Sequence, residues 1–232
     1  MSRSLGFVVQ DVEKHYATPA GFVRAIDGIT LDVAPGSSLA IMGPSGCGKS
    51  TLLALIGGLD TPTRGRVVIG DREISRMPDG ARAEVRRRDM GLVYQSDNLL
   101  PFLTAVENVA LQLSLHGCHD GYERSTELLR SVGLGDRLGA LPDQLSRGQR
   151  QRVAVARALV HRPGLVLADE PTGSLDHESA NALVALLRDA QRESGATLVV
   201  VTHDPWTAKQ LDRTVPMRDG RLASDATGMS VT

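Results

Sequence analysis

Cysteine, lysine and aromatic residues are all scarce in this sequence, and each shortage removes a class of function. The two cysteines, Cys47 and Cys118, are too few for a disulfide framework or a cysteine-based zinc site. Phenylalanine, tryptophan and tyrosine make up only 3% of the chain, which argues against base-stacking platforms for single-stranded nucleic acid and against antibody-like surfaces. An excess of either charge is missing too: 26 basic residues face 27 acidic ones, whereas a general nucleic-acid binder carries a basic surplus. Lysine occurs only at positions 14, 49 and 209. No apolar run approaches the ~18 residues of a membrane span. The segment from Met1 to Leu5 leads to Asp11 and Glu13 without an apolar signal core. The expectation is a soluble, cytoplasmic protein whose work at a membrane, if any, needs another chain.

What is present is a chain of 232 residues, 41% apolar, enough for one large α/β domain with a sizeable core. Val8–Val12 and Ala25–Val33 alternate like antiparallel strands. Short apolar runs at Ser38–Met42, Arg66–Ile69, Gly91–Tyr94, Leu165–Ala168 and Thr197–Thr202 read as buried strands. Ser179–Arg192 reads as a helix, with Ala180, Leu183, Val184 and Leu187 on one face. Between Gln95 and Leu141 no buried strand is expected, only helical segments near Ala105–Leu115 and Tyr122–Val132 separated by Gly117, Gly133 and Gly135. The tail after about Arg221 is expected to fray.

The chemistry starts at Gly43-Pro44-Ser45-Gly46-Cys47-Gly48-Lys49-Ser50, the phosphate-loop pattern G-x4-G-K-[ST], set between an apolar strand and the helix-forming run from Thr51. Glycines let backbone N–H groups turn toward a phosphate, and the helix N-terminus adds its positive end. Lys49 is then placed to reach the terminal phosphates and the Ser50 hydroxyl to ligate Mg²⁺. The run from Leu165 ends in Asp169 and Glu170, two carboxylates at a strand terminus, one suited to a metal and one to water. No N-K-x-D sequence occurs, which disfavours a GTPase. Ser146 and Gln149 form a capping box at the start of the segment from Arg150, and the same geometry makes an anion site. Cys47 reads as a small filler of the loop, Arg86-Arg87-Arg88 as a solvated charged face, and Cys118 with His116 and His119 as no metal site.

On these motifs the chain resembles, over nearly its whole length, the nucleotide-binding subunits of ATP-binding cassette (ABC) transporters. Leu145–Gln149 is similar to the family signature L-S-G-G-Q, Gln95 to the Q-loop, Ser174-Leu175-Asp176 to the D-loop, His203 to the switch histidine, and Tyr16 to the adenine-stacking aromatic. Arg147 departs from the pattern, standing where the first signature glycine is usual; its side chain is expected to turn to solvent while Ser146 and Gly148 keep their roles. The resemblance implies a P-loop NTPase core with an N-terminal antiparallel β-subdomain (residues 1–94 and 160–232) and a helical subdomain that carries the signature (95–159). It implies ATP and Mg²⁺ as ligands, bound by Tyr16, residues 43–51, and the partner's Ser146, Gly148, Gln149 and Asp176. Ser50, Gln95 and Asp169 would hold the metal, Glu170 would be the base, and His203 and Gln95 would assist. A head-to-tail dimer, of identical or related chains, and a separate membrane permease on the inner face of the cell membrane are further implications; nucleic acid is not a partner. Residues 41–46, 57–62 and 97–101 resemble the branch of lipoprotein-releasing and macrolide-exporting ATPases. Export or lipid extraction, uptake, and mechanotransmission without cargo all stay open, and the segment after Gln95, especially Leu99–Glu107 with its exposed apolar run Leu99–Leu103, is expected to meet the permease.

Overall fold

The computed structural model describes residues 4–19, 21–118, 120–173 and 175–223. It opens with a long antiparallel hairpin, β1 (Phe7–Thr18) and β2 (Gly21–Val33), paired from Phe7↔Val33 out to Thr18↔Gly21. The hairpin is longer than alternation suggests. Its outer half carries Glu13, Lys14, His15 and Tyr16, and the register shifts between Val9 and Val12, Val12 and Glu13, and Lys14 and His15. Each irregularity breaks the period-two pattern while the pairing continues.

β3 (Ser38–Met42), buried except at its last residue, runs into the phosphate loop and α1 (Lys49–Ile56). β4 (Arg64–Ile69) and β5 (Arg72–Glu73) complete a four-stranded antiparallel sheet, β2-β1-β4-β5. α2 (Asp79–Asp89) leads to β6 (Met90–Val93). Three helices follow: α3 (Ala105–Ser114), α4 (Gly121–Ser131) and α5 (Arg147–Leu159). The chain then alternates through β7 (Leu165–Asp169), α6 (His177–Ser194), β8 (Thr197–Thr202), α7 (Pro205–Lys209), β9 (Arg213–Arg218) and β10 (Arg221–Leu222). The second sheet has the order β10-β9-β3-β8-β7-β6, parallel except for β10.

β9 has little signal in the sequence, since arginines flank it, Pro216 interrupts it, and only Val215 and Met217 are buried. α2 hides for a similar reason, burying Val85 alone. The reading of Arg86–Arg88 as simply solvated needs correction: Arg86 donates to the Gly58 carbonyl at 2.5 Å, Arg87 pairs with Glu84 and bonds to the Leu115 carbonyl, and only Arg88 is exposed. The tail expected to fray lies, from residue 224 on, outside the described residues.

One core fills the space between the antiparallel sheet, α1 and one face of the parallel sheet; a second lies under α6 on the opposite face. A third joins α3, α4 and α5 through Val106, Val109, Leu113, Leu129, Val153 and Ala156. α5 serves two of them, because Val155 and Ala158 pack on the sheet while Val153 and Ala156 face the helices.

The loop after β6 is held by buried polar groups. Asn108, fully buried on α3, accepts from the Leu100 N–H at 2.8 Å and donates to the carbonyls of Leu100, Leu103 and Thr104. Of the expected apolar run, Pro101 and Phe102 are exposed, whereas Leu99, Leu100 and Leu103 are half-buried, since this bonding turns the leucines inward. Asn108→Ala leaves the Leu100 N–H and the Leu103 carbonyl short of a partner, while the carbonyls of Leu100 and Thr104 keep the backbone N–H groups of Leu103 and Asn108, and it is expected to cost about 2–3 kcal/mol. Urea denaturation measures this, and a loss below about 0.5 kcal/mol would show that the loop does not depend on Asn108.

Candidate active site

Three parallel strands bring the chemistry to one sheet edge. Met42 of β3 pairs with Thr202 of β8, and Asp169 of β7 pairs with Val201. The ladder extends one step beyond the strands, through Gly43 N–H to the Thr202 carbonyl (3.2 Å) and Glu170 N–H to the Val201 carbonyl (2.9 Å). The phosphate loop, Glu170 and His203 therefore emerge side by side at the carboxyl ends, where open α/β sheets take ligands.

The phosphate loop is shaped by close backbone approach. A Cβ on Gly48, whose φ is 105°, would lie 2.4 Å from the Ala25 carbonyl oxygen, so only glycine fits there. Gly46, with φ 78°, has nothing within 4 Å of its missing side chain and opens onto a cleft of about 390 Å³. That cleft is lined by residues 23–25, 46–51 and 219–220. α1 begins at its edge with no side-chain cap and no acidic residue in its first turn. Free N–H groups and the positive helix end fit a phosphate chain. Cys47, buried, packs beneath the loop, with its sulfur 2.8 Å from where a Gly43 Cβ would be. Pro44, Ser45 and Gly46 form the exposed crest, and Thr51 lies on the cleft wall.

Lys49 is buried, and its ammonium has three acceptors: the Gly43 carbonyl at 2.8 Å, the Pro44 carbonyl at 3.1 Å and Glu170 Oε1 at 3.3 Å. These match its three N–H donors. The other Glu170 oxygen, Oε2, meets His203 Nδ1 at 2.9 Å and the His203 backbone N–H at 3.3 Å. Glu170 holds a left-handed backbone (φ 44°), a strained conformation for a side-chain-bearing residue and one that clusters at functional sites. A second cleft, of about 420 Å³, contains Glu170 and His203. Ser50 Oγ donates to Asp169 Oδ1 at 3.0 Å. A hydroxyl and a carboxylate so placed suit Mg²⁺, which needs few protein ligands when phosphates and water complete its octahedron.

Gln95 is exposed beyond β6, its amide nitrogen 3.9 Å from where a Gly173 Cβ would sit in the turn after Glu170. Tyr16 lies far out on β1, its hydroxyl 2.9 Å from Asp60 Oδ2. Burial raises its pKa, the Asp60 bond and charge add to this, and Thr51 beside it opposes. The signature residues are elsewhere. Ser146 caps α5, accepting from Gln149 N–H at 3.3 Å while Gln149 Oε1 accepts from Ser146 N–H at 2.8 Å. Gly148 packs against Ser179 of α6, and Arg147 is exposed. Among the described residues, no hydrogen bond or ion pair joins residues 146–149 to the phosphate loop or to Glu170. Asp176 caps α6, with both carboxylate oxygens on Ser179. Ser174 and His119 lie outside the described residues. His116 stacks 4.9 Å from His161, and Cys118 is exposed.

The sequence reading missed several residues. Asp219 and Gly220, a turn dipeptide between β9 and β10, line the phosphate cleft, and the Asp-Gly pair was the available signal. Arg150 pairs with Asp97 at 2.9 Å, Gln151 donates to the Tyr94 carbonyl, and Arg157 donates to the carbonyls of Asp97 and Asn98. These α5 side chains brace the chain on both sides of Gln95, from Tyr94 to Asn98; nothing in local spacing announces them.

Burial raises the Asp169 pKa, Ser50 opposes through its hydrogen bond, the Glu170 charge raises it further, and Lys49 opposes. A carboxyl whose folded pKa exceeds its unfolded value of about 3.9 destabilises the fold once ionised; the cost is absent below that pH and complete above the raised value. Asp169→Asn is therefore expected to raise the nucleotide-free melting midpoint at neutral pH and to lose this advantage as the pH falls toward about 4. Thermal scans across that range test it, and equal midpoints at neutral pH would count against it.

Comparison with known proteins agrees with this fold. The family described as ABC transporter matches residues 26–173. The lipoprotein-releasing system ATP-binding protein LolD of Shewanella frigidimarina is 44% identical over 228 residues, covering 96% of this chain and 95% of that protein. The uncharacterized ABC transporter ATP-binding protein YvrO of Bacillus subtilis is 46% identical over 222 residues, covering 95% of this chain and 96% of that protein. Among solved structures, the dimeric post-hydrolysis state of the ATP-binding cassette MJ0796, bound to ADP and Pi, aligns with a TM-score of 0.89 and 37% identity over 96% of this chain and 100% of that one. Similarity of this extent, reaching across both the sheet core and the helical segment, makes the chain a member of the ABC transporter family, as one of its ATP-binding proteins.

Proposed function

We propose that this ATPase binds MgATP between the phosphate loop of one copy and residues 146–149 of a second, and that hydrolysis drives a separate membrane permease. The observation that carries the reading is the presence, in one chain, of two separate half-sites: an open α1 N-terminus beside Lys49, and a signature segment that, among the described residues, makes no hydrogen bond or ion pair to it. A second copy, turned head to tail, brings them together, and the MJ0796 cassette is dimeric. Asp176, beside this surface, is assigned to the same interface.

In this scheme Lys49 exchanges its loop carbonyls and Glu170 for β- and γ-phosphate oxygens. Ser50, Asp169 and Gln95 would hold Mg²⁺, which would supply positive charge to offset that developing on the phosphate oxygens. Glu170, released by Lys49, takes the proton of the attacking water, and His203, already bonded to Glu170, stabilises charge at the γ-phosphate. Tyr16 stacks on the adenine. The exposed Phe102, in the loop that begins at Gln95, meets the permease and holds the protein at the inner face of the membrane. The relatives named for lipoprotein release support lipid or lipoprotein extraction as the work performed.

Glu170→Gln keeps the shape but removes the base and one negative charge beside each phosphate chain. It is expected to lower hydrolysis at least about a hundredfold and to give a stable dimer with MgATP on size exclusion, a monomer without it. Hydrolysis within a few-fold of wild type would remove Glu170 from its role; inactivity without ATP-dependent dimerisation would remove the composite site. A cysteine introduced by Phe102→Cys should crosslink to an integral membrane protein, and crosslinks confined to water-soluble proteins would overturn the docking assignment.

A further inference from the structure

The Gly57–Pro62 segment, which follows α1, is absorbed neither by the fold nor by the catalytic scheme. Its central residue, Asp60, makes a dense set of contacts with β1. Asp60 Oδ1 accepts from Lys14 Nζ at 2.6 Å and from the Thr61 N–H at 2.7 Å, while Oδ2 accepts from the Tyr16 hydroxyl at 2.9 Å. Lys14 also donates to the Thr61 carbonyl at 2.8 Å, and its ammonium stands 5.0 Å from the centre of the Tyr16 ring. Two further bonds stitch the segments together, from Thr63 N–H to the Glu13 carbonyl and from His15 N–H to Thr63 Oγ1.

We propose that Asp60 and Lys14 form a clamp that fixes the Tyr16 ring as a platform for the nucleobase, making both of them positioning residues for ATP binding. The proposal rests on the reading of Tyr16 as the residue that stacks on adenine. An outer-hairpin tyrosine that is 39% exposed would otherwise sample several rotamers, and ordering it on binding would cost affinity. The hydroxyl bond sets the ring's direction. The ammonium takes one face by cation–π attraction, leaving the opposite face for a flat ligand. Asp60 neutralises Lys14, so no net charge is added beside the base. The carboxyl is held below the usual range: burial raises it, but the bonds from Lys14, Thr61 and Tyr16 outweigh that. At neutral pH the acceptor is thus ionised and the phenol keeps its proton. The clamp is also tied to the phosphate site, because the N–H groups of Leu59 and Asp60 both bond to the Ala54 carbonyl of α1. α1 begins at Lys49, so one short helix joins the residue that holds phosphate to the residue that orients the base platform.

The test separates base from phosphate. Calorimetric titrations with MgATP and with magnesium tripolyphosphate, which has no base, are made on wild type, Tyr16→Ala, Tyr16→Phe, Asp60→Asn and the Tyr16→Phe/Asp60→Asn double variant. Tyr16→Ala is expected to weaken ATP binding about tenfold or more, as loss of a stacking platform does. Tyr16→Phe and Asp60→Asn should each weaken it about threefold to tenfold, the range of one lost hydrogen bond, and the double variant should be no weaker than the worse single one. Tripolyphosphate should bind all five alike. Wild-type ATP affinity in Asp60→Asn and Tyr16→Phe, with loss in Tyr16→Ala, would overturn the clamp and leave the platform standing. Wild-type affinity in Tyr16→Ala would overturn the platform itself. Equal losses for ATP and tripolyphosphate would show that Asp60 merely supports the fold and would overturn the proposal.

Discussion

The buried ammonium of Lys49 organises the site. A cation that deep in the protein needs every donor satisfied, and here two carbonyls of the loop and Glu170 do so. The loop curls over its own lysine, and Glu170 reaches the same ammonium from a strained backbone. Because Glu170 also holds His203, one charge ties the ends of β3, β7 and β8 into a single cluster. In the proposed scheme an incoming phosphate chain competes for Lys49 and displaces the carboxylate assigned to activate water, so that substrate binding and release of the base would be the same event.

A second layer of the structure concerns transmission. The loop after β6 begins with Gln95, near the turn that follows Glu170, and carries the exposed Phe102. It is braced from below by Asn108 on α3 and from the side by Arg150, Gln151 and Arg157 on α5. α5 itself starts with the signature capping box and packs on both the sheet and the helical core. Polar bonds therefore link the Phe102 loop both to Gln95 and to the helix that starts with residues 146–149, the two ends of the transmission route in the proposed scheme.

Much of this was legible in the residues. The phosphate loop, the carboxylates after Leu165, the Ser146–Gln149 capping box and the apolar face of α6 all follow from local spacing, since each is built within one turn or one strand. Other features were not. The outer half of the β1–β2 hairpin loses its alternation at bulges, and β9 presents only two buried side chains between arginines and a proline. Arg86 and Arg87 read as solvated charges but bond to carbonyls remote in sequence. The Leu99–Leu103 run reads as uniformly exposed, yet a single buried asparagine turns its leucines inward.

The sequence by itself determined which chemical groups are present and in what order, because motifs such as residues 43–50 and 145–149 act through backbone geometry that neighbouring residues dictate. Only the tertiary structure decided which groups meet. Lys49 and Glu170 stand 121 positions apart, Asp60 lies 44 from Tyr16, and Arg150 lies 53 from Asp97; these pairs form because β3 and β7 flank β8, because α1 returns the chain to β1, and because α5 packs beneath the loop after β6. Strand order and packing of that kind are set by burial summed over the whole core, and no local pattern of residues encodes them.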